Sequence, residues 1–386
     1  MKESIRIRNL GPIKDIYIDH IKPFTVLIGE SGSGKSTLMK AIALFRWLYK
    51  MHNIRSYLKR SQVLKSPFRF RMETYFKNSG FEEFINNKTE ITYSVVFATH
   101  SYTLQFINGK LLGTANNNLI EDADLHFIKL SYISETRNLI PLWADKGASF
   151  SGVHLGFYFH EVYGDFNLAS DSLSEKEIDI PYLDIKFAIK KNKLGKKYVI
   201  RPTDNAYTEI QLRNSSSGTQ NAIPITLIAE HFSRHFSFED AFNRSVFRYL
   251  SDADRLTEFR PVKNVSDIQK KIFVHIEEPE LSLYPDAQCE LIGHLIEKCF
   301  IANENEIELI FSTHSPYIVN YLNLLLKAYD TNQLVNNAKI QYEQLAVYQF
   351  VAGEIISLMV QNQRVINTNP LSDTINQIYD QYSQLK

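Results

Sequence analysis

Apolar residues recur along this chain in two rhythms. Near the N-terminus Ile5 and Ile7, then Ile16 and Ile18, alternate with polar residues, and Gly11-Pro12 falls between the two runs. That period belongs to short strands joined by a turn. FTVLIG is a compact apolar run closing on Gly29, as a strand buried on both faces of a parallel sheet would. Beyond it the rhythm lengthens, and Leu38, Ile42, Phe45 and Leu48 fall on one face of a helix. Alternation returns in EITYSVVFATHSYTLQFINGKLLG, with Asn108-Gly109 at a hairpin turn, and again in LDIKFAIKKNKLGKKYVIRP, a hairpin with a basic tip. The stretch from Ala144 to Ser174, rich in Gly, Ser, Phe and His, predicts a loop or a short helical insertion.

Further runs repeat one order. LHFIKLSYISETRNLIP is an apolar strand with a polar exit, and SSSGTQNAIPITLIAEHF is a loop leading into a long helix. KKIFVHIEEPELSLYPDAQ reads as strand, acidic turn and helix, and IELIFSTHSPYIVNYLNLLL has the same logic. Strands then close the pattern in LAVYQFVAGEIISLMV, followed by a short amphipathic helix in LSDTINQIYDQYSQLK. Strand, loop, helix in succession predicts an α/β core with a mainly parallel sheet, carrying an antiparallel β lobe and helical insertions. We expect one domain over residues 1–386. Its core would be about 1–50, 125–142 and 205–350, the inserted lobe about 51–124 and 143–204, and C-terminal strands and a helix about 345–386.

Composition changes this picture little. Lys+Arg and Asp+Glu both total 43, so there is no global charge to draw nucleic acid or membrane, and any such surface must be local. With 12% aromatic residues the chain can fill a core. Cys289 and Cys299 lie ten positions apart in one expected helix, too far along it to pair, which predicts reduced, buried thiols. No run approaches the roughly 18 apolar residues of a membrane span. Met1 leads into strand-like alternation, not a signal-peptide core. The expectation is a cytoplasmic protein.

Chemistry enters at GESGSGKST, Gly29 to Thr37, which fits G-x-x-x-x-G-K-[ST] between an apolar strand and a helix. Gly29, Glu30, Ser31, Gly32, Ser33 and Gly34 would turn backbone N–H groups toward phosphate oxygens. The helix N-terminus adds its positive end, and Lys35 a mobile charge for the outer phosphates. The Ser36 hydroxyl suits Mg²⁺, and Thr37 adds a donor. At the end of IFVHI, Glu277 is the candidate metal carboxylate and Glu278 the group that polarises water. Side chains alternate along a strand, which would let the two adjacent acids face opposite ways. His314, just past the next apolar strand in STHSP, can donate to a γ-phosphate oxygen.

Between these motifs SSSGTQ resembles the Ser-Gly-Gly-Gln signature of ATP-binding-cassette ATPases, with Thr219 where a glycine is usual. EEPELSLYPDAQ, STHSP and YISETR (Tyr132 to Arg137) resemble the cassette-type ATPases of the SMC and overcoming-lysogenisation-defect group. That group includes the AAA-type ATPases of bacterial anti-phage systems such as Septu, PARIS and the retrons. The resemblance implies ATP and Mg²⁺ as ligands, Glu278 as catalytic acid and His314 as γ-phosphate sensor. It also implies a head-to-head dimer, or a higher assembly, in which Ser217 and Gly218 of one head cap the nucleotide held by Lys35 of the other. Glu277 stands where Asp is commoner, and no glutamine is assigned to the loop that usually couples Mg²⁺ to the lobe. The leading expectation is an ATPase governing a separate nuclease or toxin effector. The alternative is a DNA-repair ATPase of the SMC/RecF kind acting on DNA or RNA through the basic runs Lys190–Lys197 and Arg55–Arg71. A transporter cassette with a membrane partner fits least, because its signature usually lies closer to the acidic strand.

Overall fold

A computed structural model describes residues 1–63, 71–113, 119–144, 156–174, 177–192, 195–204, 208–252, 256–261 and 264–385. The chain opens with an antiparallel pair, β1 (Lys2–Leu10) and β2 (Ile13–Ile18), then the fully buried β3 (Phe24–Ile28) and the long helix α1 (Lys35–Arg60). A short helix α2 (Met72–Asn78) precedes β4 (Glu90–Val96), β5 (Ser101–Ile107) and β6 (Lys110–Leu112). Next come β7 (His126–Ile133), α3 (Ile140–Ala144) and α4 (Gly156–Ser172). A second antiparallel group holds β8 (Glu177–Ile180), β9 (Ile185–Asn192), β10 (Gly195–Pro202) and β11 (Ile210–Gln211), followed by α5 (Ser217–Glu230) and α6 (Phe238–Asp252). The last third runs β12 (Gln269–Glu277), α7 (Pro285–Ile296), β13 (Ile307–Thr313), α8 (Pro316–Asp330), β14 (Leu345–Val351) and β15 (Glu354–Ser357). It ends in the small pair β16 (Met359–Val360) and β17 (Val365–Ile366) and the helix α9 (Asn369–Gln384).

The core sheet has the order β15-β14-β3-β13-β12-β7. Its five strands from β14 to β7 are parallel, and β15 returns antiparallel to β14. β3 and β13 are buried at every position, because both faces of a parallel sheet are covered. α1 lies across β7, β12 and β13. It is buried nearly all round from Lys35 to Leu48, not only along Leu38, Ile42, Phe45 and Leu48. The fold is thus the expected P-loop α/β arrangement. Register sets the site: Ile28 pairs with Thr313, and Glu277 with Ser312, so the C-terminal ends of β3, β13 and β12 share one edge.

The antiparallel material forms two separate sheets, β2-β1-β4-β5-β6 and β11-β10-β9-β8. β1 and β2, grouped with the core in the sequence reading, belong to the first of these. Asn108 and Gly109 both have positive φ, 51° and 74°, as the hairpin turn between β5 and β6 requires. Two expectations fail. Residues 156–172, expected as a loop or a short helical insertion, form a longer helix than that, the 17-residue α4, whose Phe159, Val162, Phe166 and Ala169 fill one buried face at helical spacing. Residues 145–155 of that stretch lie outside the described residues. Cys299 is buried and free, but Cys289 is only half-buried on α7, facing the Tyr317 carbonyl, and Cys299 follows in a π-helical turn.

Candidate nucleotide site

The loop of residues 29–34 leaves β3 and enters α1 through Gly34, whose φ of 112° no side-chain-bearing residue adopts easily. Lys35 folds back over the loop, and its Nζ donates to the carbonyls of Gly29 at 2.9 Å and Glu30 at 2.8 Å. Burial lowers the Lys35 pKa, and the charges of Glu278 and Glu280 oppose that shift. Ser31, Gly32 and Ser36 are exposed, while Thr37 is buried at the first turn of α1. The Ser33 hydroxyl is enclosed with no hydrogen-bond partner among the described residues.

Glu277 ends β12 with its side chain 4% exposed. Its Oε1 accepts from the Tyr132 hydroxyl at 2.8 Å, and Lys40 Nζ stands 3.9 Å away. Its Oε2 receives no donor among the described residues. Glu135 brings a second carboxyl beside it, and the two acids titrate together. Burial first, and Glu135 second, raise the Glu277 pKa from 4.5 to about 7.

Glu278 does not continue the strand. Its φ is 43°, in the left-handed region, so a backbone turn, not strand alternation, separates the two acids. Its N–H donates to Ser312 O at 2.9 Å, and its carbonyl accepts from Arg137 at 2.5 Å. With its peptide held at both ends, Glu278 presents Oε1 3.4 Å from His314 Nε2. Glu280 supports the histidine: its Oε1 accepts from Thr313 Oγ1 and from the His314 N–H, both at 2.7 Å. Phosphate loop, Glu277, Glu278 and His314 therefore converge on one sheet edge.

Ser217 and Gly218 are placed otherwise. They open α5, and no hydrogen bond among the described residues joins them to residues 29–37. A Cβ on Gly218 would lie 2.6 Å from Ser282 O, so the signature helix rides directly on the turn that follows Glu278. Ser217 is exposed. Thr219, where glycine is usual, does not crowd the helix start. Its N–H donates to the N-cap hydroxyl of Ser216 at 3.2 Å, and the two hydroxyls lie 2.9 Å apart.

Arg137 and Glu135 are the residues to which sequence reasoning gave no role. The Arg137 guanidinium, wholly buried, donates to the carbonyls of Ser134, Glu277 (2.7 Å), Glu278 and Asn221 (3.2 Å). It ties the acidic strand end to α5. Burial lowers its pKa to about 10. The signal was present in YISETR at the tip of an apolar strand, but not its distant partners, Asn221 84 residues away and Glu277 140 away.

Three residues of the basic runs form ion pairs. Lys190 meets Glu209 at 2.5 Å, Lys196 meets Asp171 at 2.9 Å, and Arg60 meets Glu121 and Asp122, each at 3.2 Å. Residues 64–70 and 193–194 of those runs lie outside the described residues. Among the described residues no helix is long and apolar enough to cross a membrane.

The model of the AAA ATPase domain family matches residues 1–94 and 48–319. No curated protein matches the chain. Among solved structures, the SMC head domain from Thermotoga maritima is 11% identical, with a TM-score of 0.38, covering 93% of this chain and all of that one. An SMC head bound to the C-terminal winged-helix domain of ScpA is 12% identical at a TM-score of 0.40, covering 93% of this chain and 98% of that one. The recombination mediator RecF is 11% identical at 0.37, covering 92% of this chain and 98% of that one. All three scores fall below 0.5, so the family assignment rests on the family model.

Proposed function

The chain belongs to the AAA ATPase domain family, and on that footing we propose that it binds Mg·ATP at residues 29–37 and hydrolyses it with Glu278 as general base. The observation that carries the reading is the held peptide of Glu278, which sets its carboxylate beside His314 at the sheet edge that the phosphate loop also reaches. In this reading Lys35 exchanges two neutral loop carbonyls for the outer phosphate oxygens, a charge-assisted replacement. Gly32, Ser33 and Gly34 contribute backbone N–H groups, and Thr37 a hydroxyl. Glu278 takes the proton of water as its oxygen bonds to the γ-phosphorus and the bridging P–O bond breaks. His314 orients Glu278 and senses the γ-phosphate.

The donor set fits a divalent cation: a buried carboxylate oxygen without a donor, a second carboxyl beside it and an exposed serine hydroxyl. Glu277 and Ser36 would hold Mg²⁺, with Glu135 beside them. When bound, Mg²⁺ neutralises phosphate charge.

Ser217 and Gly218, which make no hydrogen bond to residues 29–37 among the described residues, would cap the nucleotide of a second head. Support for an effector-regulating role in anti-phage defence comes from the sequence resemblance in Glu277–Gln288 and Ser312–Pro316.

Glu278→Gln tests the core of this. It should bind ATP as the wild type does, lose about 10²-fold or more in turnover, and accumulate a dimer with ATP. Turnover at the wild-type rate would remove Glu278 from the mechanism.

A further inference from the structure

A cavity of about 240 Å³ lies between α1, α2, α4 and β7. Its wall is largely aromatic. Trp47 and Tyr75, with ring centroids 4.6 Å apart, face it from α1 and α2, and Phe157 and Tyr158 from α4. Leu44 and Leu130 add aliphatic surface. Protein interiors leave few voids larger than a water molecule, so a cavity of this size is room for a small organic group. Tyr132 also belongs to the wall, its ring 4.3 Å from that of Tyr158. The cavity therefore lies one residue away from Glu277, to which the Tyr132 hydroxyl donates.

Charge selects the occupant. Two ammonium groups line the cavity among the described residues, Lys50 and Lys129, and they are not equivalent. Lys129 is compensated by Asp165 at 2.5 Å. Lys50, half-buried, forms no hydrogen bond or ion pair among the described residues. The carboxylate of the lining, Glu161, is exposed to solvent and stands beyond ion-pair distance of Lys50. Burial first, then Lys129, lower the Lys50 pKa to about 8, and Glu161 and Asp165 oppose that shift. At neutral pH Lys50 is thus still charged, held against an apolar wall with no counter-charge in contact. A charge so placed costs stability until an anion meets it.

We propose that this cavity binds a small aromatic monocarboxylate, its ring among Trp47, Tyr75 and Tyr158 and its carboxylate on Lys50. The carboxylate supplies the negative charge that Lys50 lacks, through a charge-assisted hydrogen bond. The ring fills the space that the aromatic wall leaves open. A second anionic group would find no cation to meet, because Lys129 already has Asp165. A cation of the same shape would leave Lys50 unpaired and add a like charge beside it. The site shares no residue with the phosphate loop.

Trp47 and Trp143 are the two tryptophans of the chain, so in a Trp143→Phe background the emission reports on the cavity wall. The probes are 3-phenylpropionate, phenethylamine and acetate, titrated at pH 7 into the full chain, with calorimetry on the wild type as the deciding readout. 3-Phenylpropionate should shift the Trp47 emission and bind with a Kd on the order of 0.1–1 mM, as suits a ligand of about a dozen heavy atoms. Phenethylamine has the ring without the negative charge, and acetate the charge without the ring. Each should bind about tenfold more weakly or worse. Lys50→Met keeps the side-chain length and removes the charge, and should weaken 3-phenylpropionate by about tenfold or more. Lys35→Ala should bind it like the wild type, which separates this proposal from the nucleotide reading. The comparison of probes on the wild type decides the matter even where a variant is unstable. No saturable binding of 3-phenylpropionate up to roughly 10 mM overturns the proposal. So does phenethylamine binding as tightly, or a folded Lys50→Met that binds the acid undiminished.

Discussion

Two buried acidic clusters lie on adjacent strands of the core sheet, and they are built in opposite ways. On β13, Glu308 meets Arg46 at 2.8 Å and Lys271 at 2.8 Å, and Arg46 also binds Glu3 of β1 at 2.5 Å. Tyr93 donates to Glu3 as well. The Arg46 guanidinium lies 3.8 Å from the Phe273 ring centroid, wholly buried. Here every charge has a partner, and the cluster ties the N-terminal antiparallel sheet to α1 and the core. On β12, Glu277 has a tyrosine, a lysine 3.9 Å away and another carboxyl. A buried charge is either compensated by the chain or costs stability. The first cluster is finished by protein. The second is left for something else, and the difference marks which of two similar sequence features is structural.

The comparison breaks most visibly at Arg46. Arg46→Met should destabilise the protein by about 3–5 kcal/mol in urea unfolding, because Glu3 and Glu308 are then buried without their shared cation. A loss under 1 kcal/mol would mean that the cluster is not the brace described here.

Glu277 should show the reverse, an acid whose removal helps the ligand-free protein. Its folded pKa of about 7 lies above the ordinary 4.5, so the folded state holds the proton more tightly. Stability should therefore fall as pH rises from about 4.5 to 7 and stay lower above 7, by on the order of 2–3 kcal/mol at most. Glu277→Gln should abolish that slope in metal-free buffer. In the wild type Mg²⁺ with a non-hydrolysable ATP analogue should flatten it. A slope identical in both proteins would place the titration elsewhere.

Arg137→Lys sharpens the same contrast from the backbone side. A single ammonium cannot span the Glu277, Glu278 and Asn221 carbonyls that the guanidinium joins. Turnover should drop by about 10- to 100-fold while ATP affinity, measured by calorimetry, stays within a few-fold. Equal losses in both would make Arg137 a general structural residue. The smallest effect belongs to Lys40, whose side chain is 27% exposed. Lys40→Met should move the Glu277 midpoint upward by well under one pH unit, since a half-screened cation contributes about 0.2–1 kcal/mol.

How legible all this was depends on distance along the chain. Gly29–Thr37, Glu277-Glu278 and His314 are read from short contiguous strings, because strand ends in a parallel sheet share an edge whatever separates them in sequence. Arg46 is not readable that way. It falls within the apolar run Ala41–Leu48 and looks like one snorkelling cation, while its partners lie at positions 3 and 308. The length of α4 was missed because Gly, His and aromatic residues obscured its helical spacing. Strand alternation was carried one residue too far, onto Glu278, because local pattern predicts side-chain faces only while the strand continues.

That turn has a consequence for the history of the sequence. A glutamate at φ 43° opposes its own backbone, and glycine would meet no such resistance. Glu278→Gly should raise the melting temperature, by on the order of 1 kcal/mol of stability, while removing the base. Drift at this position therefore runs toward a sturdier and inert protein. Under the proposed mechanism, position 278 is where backbone ease and turnover pull in opposite directions.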